Sequence, residues 1–130
     1  MGIQLVKILL DTHVFLWMVQ NAGRVPVALK EELEDPANDI FYSAVLSWEI
    51  ATKRAKGKLH FSGSPARIAD RIGLIHLPMT AEHCEYASEL HPHHSDPFDR
   101  LLVAQTQIEG LVLATVDRLM VRYGIRLLTV

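Results

Sequence analysis

The sequence predicts an α/β protein, a single-domain α/β/α sandwich on a mainly parallel central sheet, and three observations carry that prediction. Short runs of Leu, Ile and Val alternate along the chain with segments whose apolar residues recur every three to four positions, the pattern of buried parallel strands separated by amphipathic helices. Helix start and stop residues punctuate the alternation at Pro26, Pro36, Gly57, Pro78, Thr80, Asp96 and Gly110. A length of 130 residues with 49% hydrophobic content suits one domain, residues 1–130, with a substantial core.

Each element follows from local sequence. LVKILLD is continuously apolar up to its acid and reads as the first strand; DTHVFLWMVQ then turns helical, with apolar residues at 14, 15, 17, 18 and 19. PVALKEELED is a second helix bounded by Pro26 and Pro36, and DIFYSA a second strand. VLSWEIATKRAKGK forms a helix that stops near Gly57, and SPARIADRIG a shorter one. LIHLP is a third strand ended by Pro78, followed by the helix TAEHCEYASEL with Thr80 as its cap. Beyond the loop HPHHS, DPFDRLLVAQTQIEG is a strong helix: Asp96 caps it, Pro97 fits its first position and Gly110 closes it. LVLAT is a fourth buried strand, DRLMVRYG a short helical piece and IRLLTV a final strand.

Composition narrows the function. A formal net charge of −2 gives no global attraction for nucleic acid, although Lys53, Arg54, Lys56 and Lys58 form a basic strip that could hold a phosphate backbone or simply end a helix favourably. No apolar stretch approaches the roughly 18–20 residues that span a bilayer, so the sequence predicts a cytoplasmic protein without membrane contact. The single cysteine, Cys84, permits no internal disulfide, suits a reducing compartment and reads as a small core residue rather than a nucleophile.

Chemistry concentrates in the acids. Right-handed crossovers between parallel strands bring strand ends and helix starts to one edge of the sheet, and that edge opens into a crevice where strand order reverses. Asp11 follows the first strand, Glu49 lies in the first turns of the helix after the second, Asp99 is third in the helix before the fourth, and Asp117 follows that strand. Singly, each has an ordinary role: Asp11 or Thr12 as a cap, Glu49 as a partner of Lys53 one turn on, Asp99 as an answer to the helix dipole, Asp117 at the start of the last helical turn. Together they make a cluster of carboxylates whose repulsion is offset by a hard cation, Mg²⁺ or Mn²⁺, held by oxygen ligands. Such an ion activates water and neutralises charge on a leaving oxygen, which suits phosphodiester hydrolysis without a protein nucleophile.

These blocks resemble PIN-domain ribonucleases, specifically VapC-type toxins of type II toxin–antitoxin pairs, over nearly the whole chain. LLDTHVFLW is similar to the family's opening strand with its first metal-binding Asp, SAVLSWEIATKRAKGKL to its second block with Glu, HHSDPFDRLLVAQ to its third with Asp, and LATVD to its fourth. The resemblance implies a PIN-like fold and a Mg²⁺- or Mn²⁺-dependent endoribonuclease with Asp11, Glu49, Asp99 and Asp117 as catalytic metal ligands. It also implies possible supporting hydroxyls at Thr115 and Ser47, an RNA substrate, a small cognate antitoxin, and a homodimer with helices near the third strand at its interface. Trp17 and Met18, on the apolar first helix, are expected either to pack in the core or to line a groove for the antitoxin.

Other classes fit less well. His91, His93 and His94, with Cys84, could bind zinc, but HPHH lacks the paired ligand doublets of a structural site; as part of the third block, these histidines are expected at the crevice rim, whereas His13, beside Asp11, reads first as an ordinary helix-face residue with the rim as its alternative. A haloacid-dehalogenase-like phosphatase needs an acid where His13 stands, and a receiver domain needs a late lysine that the second half lacks. The alternative from outside enzymology is a catalytically inactive PIN-like binding module with a vestigial metal site.

Overall fold

The apolar runs become a five-stranded sheet in the computed structural model, which describes residues 6–91 and 96–128. In chain order the elements are β1 (Lys7–Leu10), α1 (Thr12–Gln20), α2 (Val27–Glu34), β2 (Asp39–Ser43), α3 (Ala44–Ala55), α4 (Pro65–Arg71), β3 (Ile75–Leu77), α5 (Ala81–Glu89), α6 (Pro97–Glu109), β4 (Val112–Ala114) and β5 (Leu127–Leu128). Two 3₁₀ helices, Ala22–Arg24 and Arg118–Tyr123, complete them. The first was not anticipated, and the second takes the place expected for a short helical piece. His93 and His94, the start of the LVKILLD run and the end of the IRLLTV run lie outside the described residues.

The strand order is β3-β2-β1-β4-β5 and every pairing is parallel. The chain therefore builds outward from β1 through β2 to β3, then crosses to the other side of β1 to lay down β4 and β5. Order reverses between β1 and β4, whose register pairs Leu10 with Ala114. The backbone N–H of Asp11 donates to the Ala114 carbonyl at 2.9 Å, so the contact continues one residue past the strands and pins Asp11 at the switch point.

Alternation along β1 divides the core into two layers. Ile8 and Leu10 pack with Val14, Phe15, Leu29, Leu46 and Ile50, while Leu9 packs with Val45, Leu102, Val103, Leu113 and Met120. Each fully buried aliphatic side chain in these layers contributes about 1.5–3 kcal/mol relative to exposure. β3, the expected third strand, is the sheet's edge, and Ile75 and His76 are exposed.

Caps fix the helix starts that matter. Ser43 accepts from the Val45 N–H, Thr80 from the His83 N–H, and Asp96 from the Phe98 N–H at 2.8 Å, with Pro97 next in α6. Gly110 ends α6 at φ 66°, a left-handed conformation that glycine adopts without steric cost. Arg100 turns away from this helix to donate to the carbonyls of Ala87, Ser88 and Leu90, closing the carboxyl end of α5. One expectation is corrected here: Cys84 is exposed, not in the core, because α5 turns its neighbour His83 inward and the next residue lies about 100° further round the helix.

Candidate functional site

A cavity of about 370 Å³ opens at the carboxyl edge of the sheet, where strand order reverses, and is lined by Asp11, Glu49, Asp96, Asp99 and Asp117 together with His13, Trp17, Lys53 and Val116. The structure thus brings the four sequence-predicted acids to one crevice and adds Asp96. Asp11 and Glu49 form its floor, 4% and 3% exposed, whereas Asp96, Asp99 and Asp117 are half-buried along its wall.

Asp11 is held from several sides. Its Oδ1 accepts from the His13 N–H at 3.0 Å, capping α1, and its Oδ2 accepts from the Thr115 hydroxyl at 2.5 Å. The same Thr115 hydroxyl accepts from the Asp117 N–H at 3.0 Å, so one side chain ties the turn after β4 to the acid after β1. Burial pushes the Asp11 carboxyl above its ordinary value of 3.8, and the nearby Glu49 charge pushes the same way; the bonds from Thr115 and His13 oppose but do not cancel this. Asp117 also begins the 3₁₀ turn by accepting from the Leu119 N–H.

Glu49 sits on α3 with both oxygens engaged. Its Oε1 accepts from the Thr12 hydroxyl at 2.6 Å and its Oε2 from the Lys53 ammonium at 2.5 Å. Among the described residues, the hydroxyl that reaches this carboxylate is Thr12 and not Ser47. Two residues before Glu49, Ser47 lies about 200° round the helix from it. Burial alone would lower the Lys53 pKa, but the bond and charge of Glu49, with Asp96 and Asp99 beyond, hold the ammonium above its ordinary 10.5.

The basic strip divides by role. Arg54 donates to the carbonyls of Phe61 and Gly63 and fastens the loop after α3. Lys53 and Lys58 line a second cavity of about 250 Å³ with Thr12, His13, Leu16, Glu49 and Leu59; His13, Glu49 and Lys53 border both cavities. Trp17 and Met18 also part company. Trp17 borders the acid crevice, with Arg24 stacked 4.8 Å from its ring centroid, while Met18 faces a separate apolar hollow of about 140 Å³ with Val25 and Leu33.

The donor set matches a hard cation in kind: carboxylate oxygens, with no thiolate on the crevice wall. Among the described residues no three His, Cys, Asp or Glu side chains are already gathered closely enough to hold one ion. Closing on an ion therefore requires side-chain movement, and the Lys53 ammonium already occupies Glu49 Oε2.

A parallel five-stranded sheet between helices, with carboxylates gathered at its switch point, defines a class of α/β/α proteins with an acidic crevice. The sequence matches the PIN domain family over residues 8–125, and the chain belongs to that family. Among solved structures, the fold is similar to VapBC2 from Rickettsia felis bound to a promoter DNA fragment (TM-score 0.69, 16% identity, 95% of this chain and 98% of that one). It is similar to DNA-bound VapBC from Salmonella typhimurium (TM-score 0.67, 20% identity, 95% and 98%) and to VapBC-1 from nontypeable Haemophilus influenzae (TM-score 0.69, 14% identity, 95% and 98%). No curated protein matches the sequence significantly. Among the described residues, no helix is long and apolar enough to cross a membrane.

Proposed function

We propose that the chain is a Mg²⁺- or Mn²⁺-dependent endoribonuclease, one PIN-like nuclease domain over residues 1–130, that acts as the toxin of a toxin–antitoxin pair in the cytoplasm. The observation that carries this reading is the assembly of Asp11, Glu49, Asp96, Asp99 and Asp117 on one crevice at the switch point of the sheet. Asp11, Glu49, Asp99 and Asp117 would hold the ion. When bound, it supplies an activated water and neutralises charge on the leaving oxygen.

The chain's own residues do the positioning. Thr115 and the His13 N–H fix the Asp11 carboxylate, Thr12 fixes Glu49, and Thr115 sets the turn that carries Asp117. His13 and Lys53, which border both cavities, and Lys58 in the second would offer their charge or hydrogen bonds to backbone phosphates of the substrate. Such a local strip suits a single-stranded substrate held at a few phosphates despite the net charge of −2.

Likeness to VapBC assemblies supports a small antitoxin partner, and the exposed apolar residues Ile72, Ile75 and Met79 around the β3 edge support a homodimer there. The decisive experiment is cleavage-site mapping on total RNA with the purified chain. Cleavage should require Mg²⁺ or Mn²⁺, stop in excess chelator and resume when the ion is restored; undiminished cutting in chelator overturns the metal mechanism. Sedimentation at micromolar concentration should give a dimer, and a monomer both alone and with its antitoxin removes that part.

A further inference from the structure

The crevice carries a cation of its own. Lys53 Nζ stands 2.5 Å from Glu49 Oε2, the oxygen of that buried carboxylate that Thr12 leaves to the crevice, and Asp96 and Asp99 act on the same ammonium. This is more than a helix-surface ion pair between residues four apart, because Glu49 is 3% exposed and the pair sits on the wall of the site.

Two roles are open to such a lysine. It could orient Glu49 for an ion, or it could neutralise the acids in the ion's place. Orientation is already supplied by the Thr12 hydroxyl on Glu49 Oε1. A divalent ion of the Mg²⁺ type takes carboxylate oxygens at about 2.0–2.1 Å, and an ammonium at hydrogen-bond distance from the same oxygen repels it. The ammonium also has somewhere to go. Lys53 has a flexible four-carbon stem, is 36% exposed along its side chain, and borders the adjoining cavity beside Lys58 and His13.

We propose that Lys53 is a built-in counter-ion that competes with the divalent metal for Glu49: its ammonium holds the acids together until the ion displaces it towards the adjoining cavity. This rests on the metal-dependent reading of the same crevice. It makes Lys53 a residue that sets metal affinity by opposing binding, and it gives the acid cluster a means of folding before it is loaded.

The test uses the full chain stripped with chelator and titrated with Mn²⁺ alone, followed by calorimetry and by the paramagnetic resonance of free Mn²⁺. Lys53→Gln should bind Mn²⁺ at least about fivefold more tightly than wild type, the lower range of coupling between two sites. Lys53→Met, which keeps the packing of the stem, should do the same. Lys53→Arg keeps the charge and should stay within about twofold, as should Lys58→Gln, whose charge lies outside the Glu49 contact.

Melting gives a second readout with the opposite sign. Without metal, Lys53→Gln should melt below wild type, because Glu49 and its neighbours lose their counter-ion; in saturating Mn²⁺ the gap should close or reverse. Weaker or unchanged Mn²⁺ binding in Lys53→Gln and Lys53→Met, or equal tightening in Lys58→Gln, overturns the inference while leaving the metal site standing. No Mn²⁺ binding by wild type or any variant overturns both.

Discussion

Two buried polar clusters in this chain differ in how they are closed. Behind α6, the Ser43 hydroxyl donates to Gln105 Oε1 at 2.5 Å, Gln105 Nε2 lies 3.4 Å from both the Pro78 carbonyl and His83 Nδ1, and His83 Nε2 lies 2.8 Å from Glu109. His83 Nδ1 also accepts from the Thr80 N–H at 3.0 Å, which leaves the ring proton on Nε2 to face the carboxylate. Each polar group there meets one of complementary character, and the cluster ties β2, α5 and α6 together. At the crevice, five carboxylates line one cavity and, among the described residues, Lys53 is the lysine on its wall. A closed network stabilises by satisfying every member, whereas a converging set of like charges stores repulsion that a ligand can relieve.

The sharpest way to break this contrast is Asp99→Asn. If the crevice is a metal site, RNA cleavage should fall by on the order of 10²–10³-fold, as when a positioned electrostatic partner is removed from a catalytic centre. Without Mg²⁺ the variant should melt at the same temperature as wild type or higher, since one repelling charge is gone, and Mg²⁺ should raise its melting temperature less than it raises that of wild type. Paired melting and cleavage curves across Mg²⁺ concentration check this. A variant that unfolds readily yet cuts RNA at the normal rate when folded makes Asp99 a helix-dipole residue and nothing more.

The opposite outcome is expected in the closed cluster. His83→Ala removes the acceptor for the Thr80 N–H and the partner of Glu109, and leaves a cavity where a side chain is 1% exposed. Stability should fall by about 2–3 kcal/mol in urea unfolding. Cleavage per folded molecule and the melting gain on adding Mg²⁺ should stay at wild-type levels, because none of these residues borders the crevice. A fall in activity larger than the loss of folded protein erases the distinction between the clusters.

The strands and helices were legible because their signals are local. Continuous apolar runs gave β1, β2 and β4, and Asp96, Pro97 and Gly110 marked both ends of α6 within a residue or two. β3 was legible as a strand but not as an edge, since LIHLP carries no sign of which neighbour it lacks. At the acids, capping and clustering looked like alternatives for each residue. A carboxylate has two oxygens, and Asp11 uses Oδ1 to cap α1 while Oδ2 takes the Thr115 hydroxyl; Asp96 caps α6 and still lines the crevice. The Glu49–Lys53 spacing was visible as an ordinary helical pair, but its setting among Asp96 and Asp99 was not. Thr12 on Glu49 and His83 on Glu109 join residues 37 and 26 positions apart, and no local pattern encodes a contact at that separation.

The smallest expected effect concerns a polar contact that belongs to neither cluster and so tests what a single closed pair is worth. Tyr42, on β2, donates its hydroxyl to Asp70 Oδ1 at 2.9 Å, with a buried ring and an exposed carboxylate. Burial raises the Tyr42 phenol above its ordinary 10.0, and the bond to Asp70 and its negative charge raise it further. A phenol whose pKa is higher folded than unfolded stabilises the fold while it stays protonated, so the contribution is fully present below pH 10 and disappears as pH rises through the folded value. Tyr42→Phe should therefore cost about 0.5–1.5 kcal/mol at neutral pH, the net worth of one hydrogen bond. Phenylalanine has no proton to lose, so in urea unfolding measured from pH 7 upward the gap between wild type and variant should narrow above pH 10. A gap that stays constant or widens with pH shows that Asp70 does not set the ionisation of Tyr42, and that the contact contributes through packing alone.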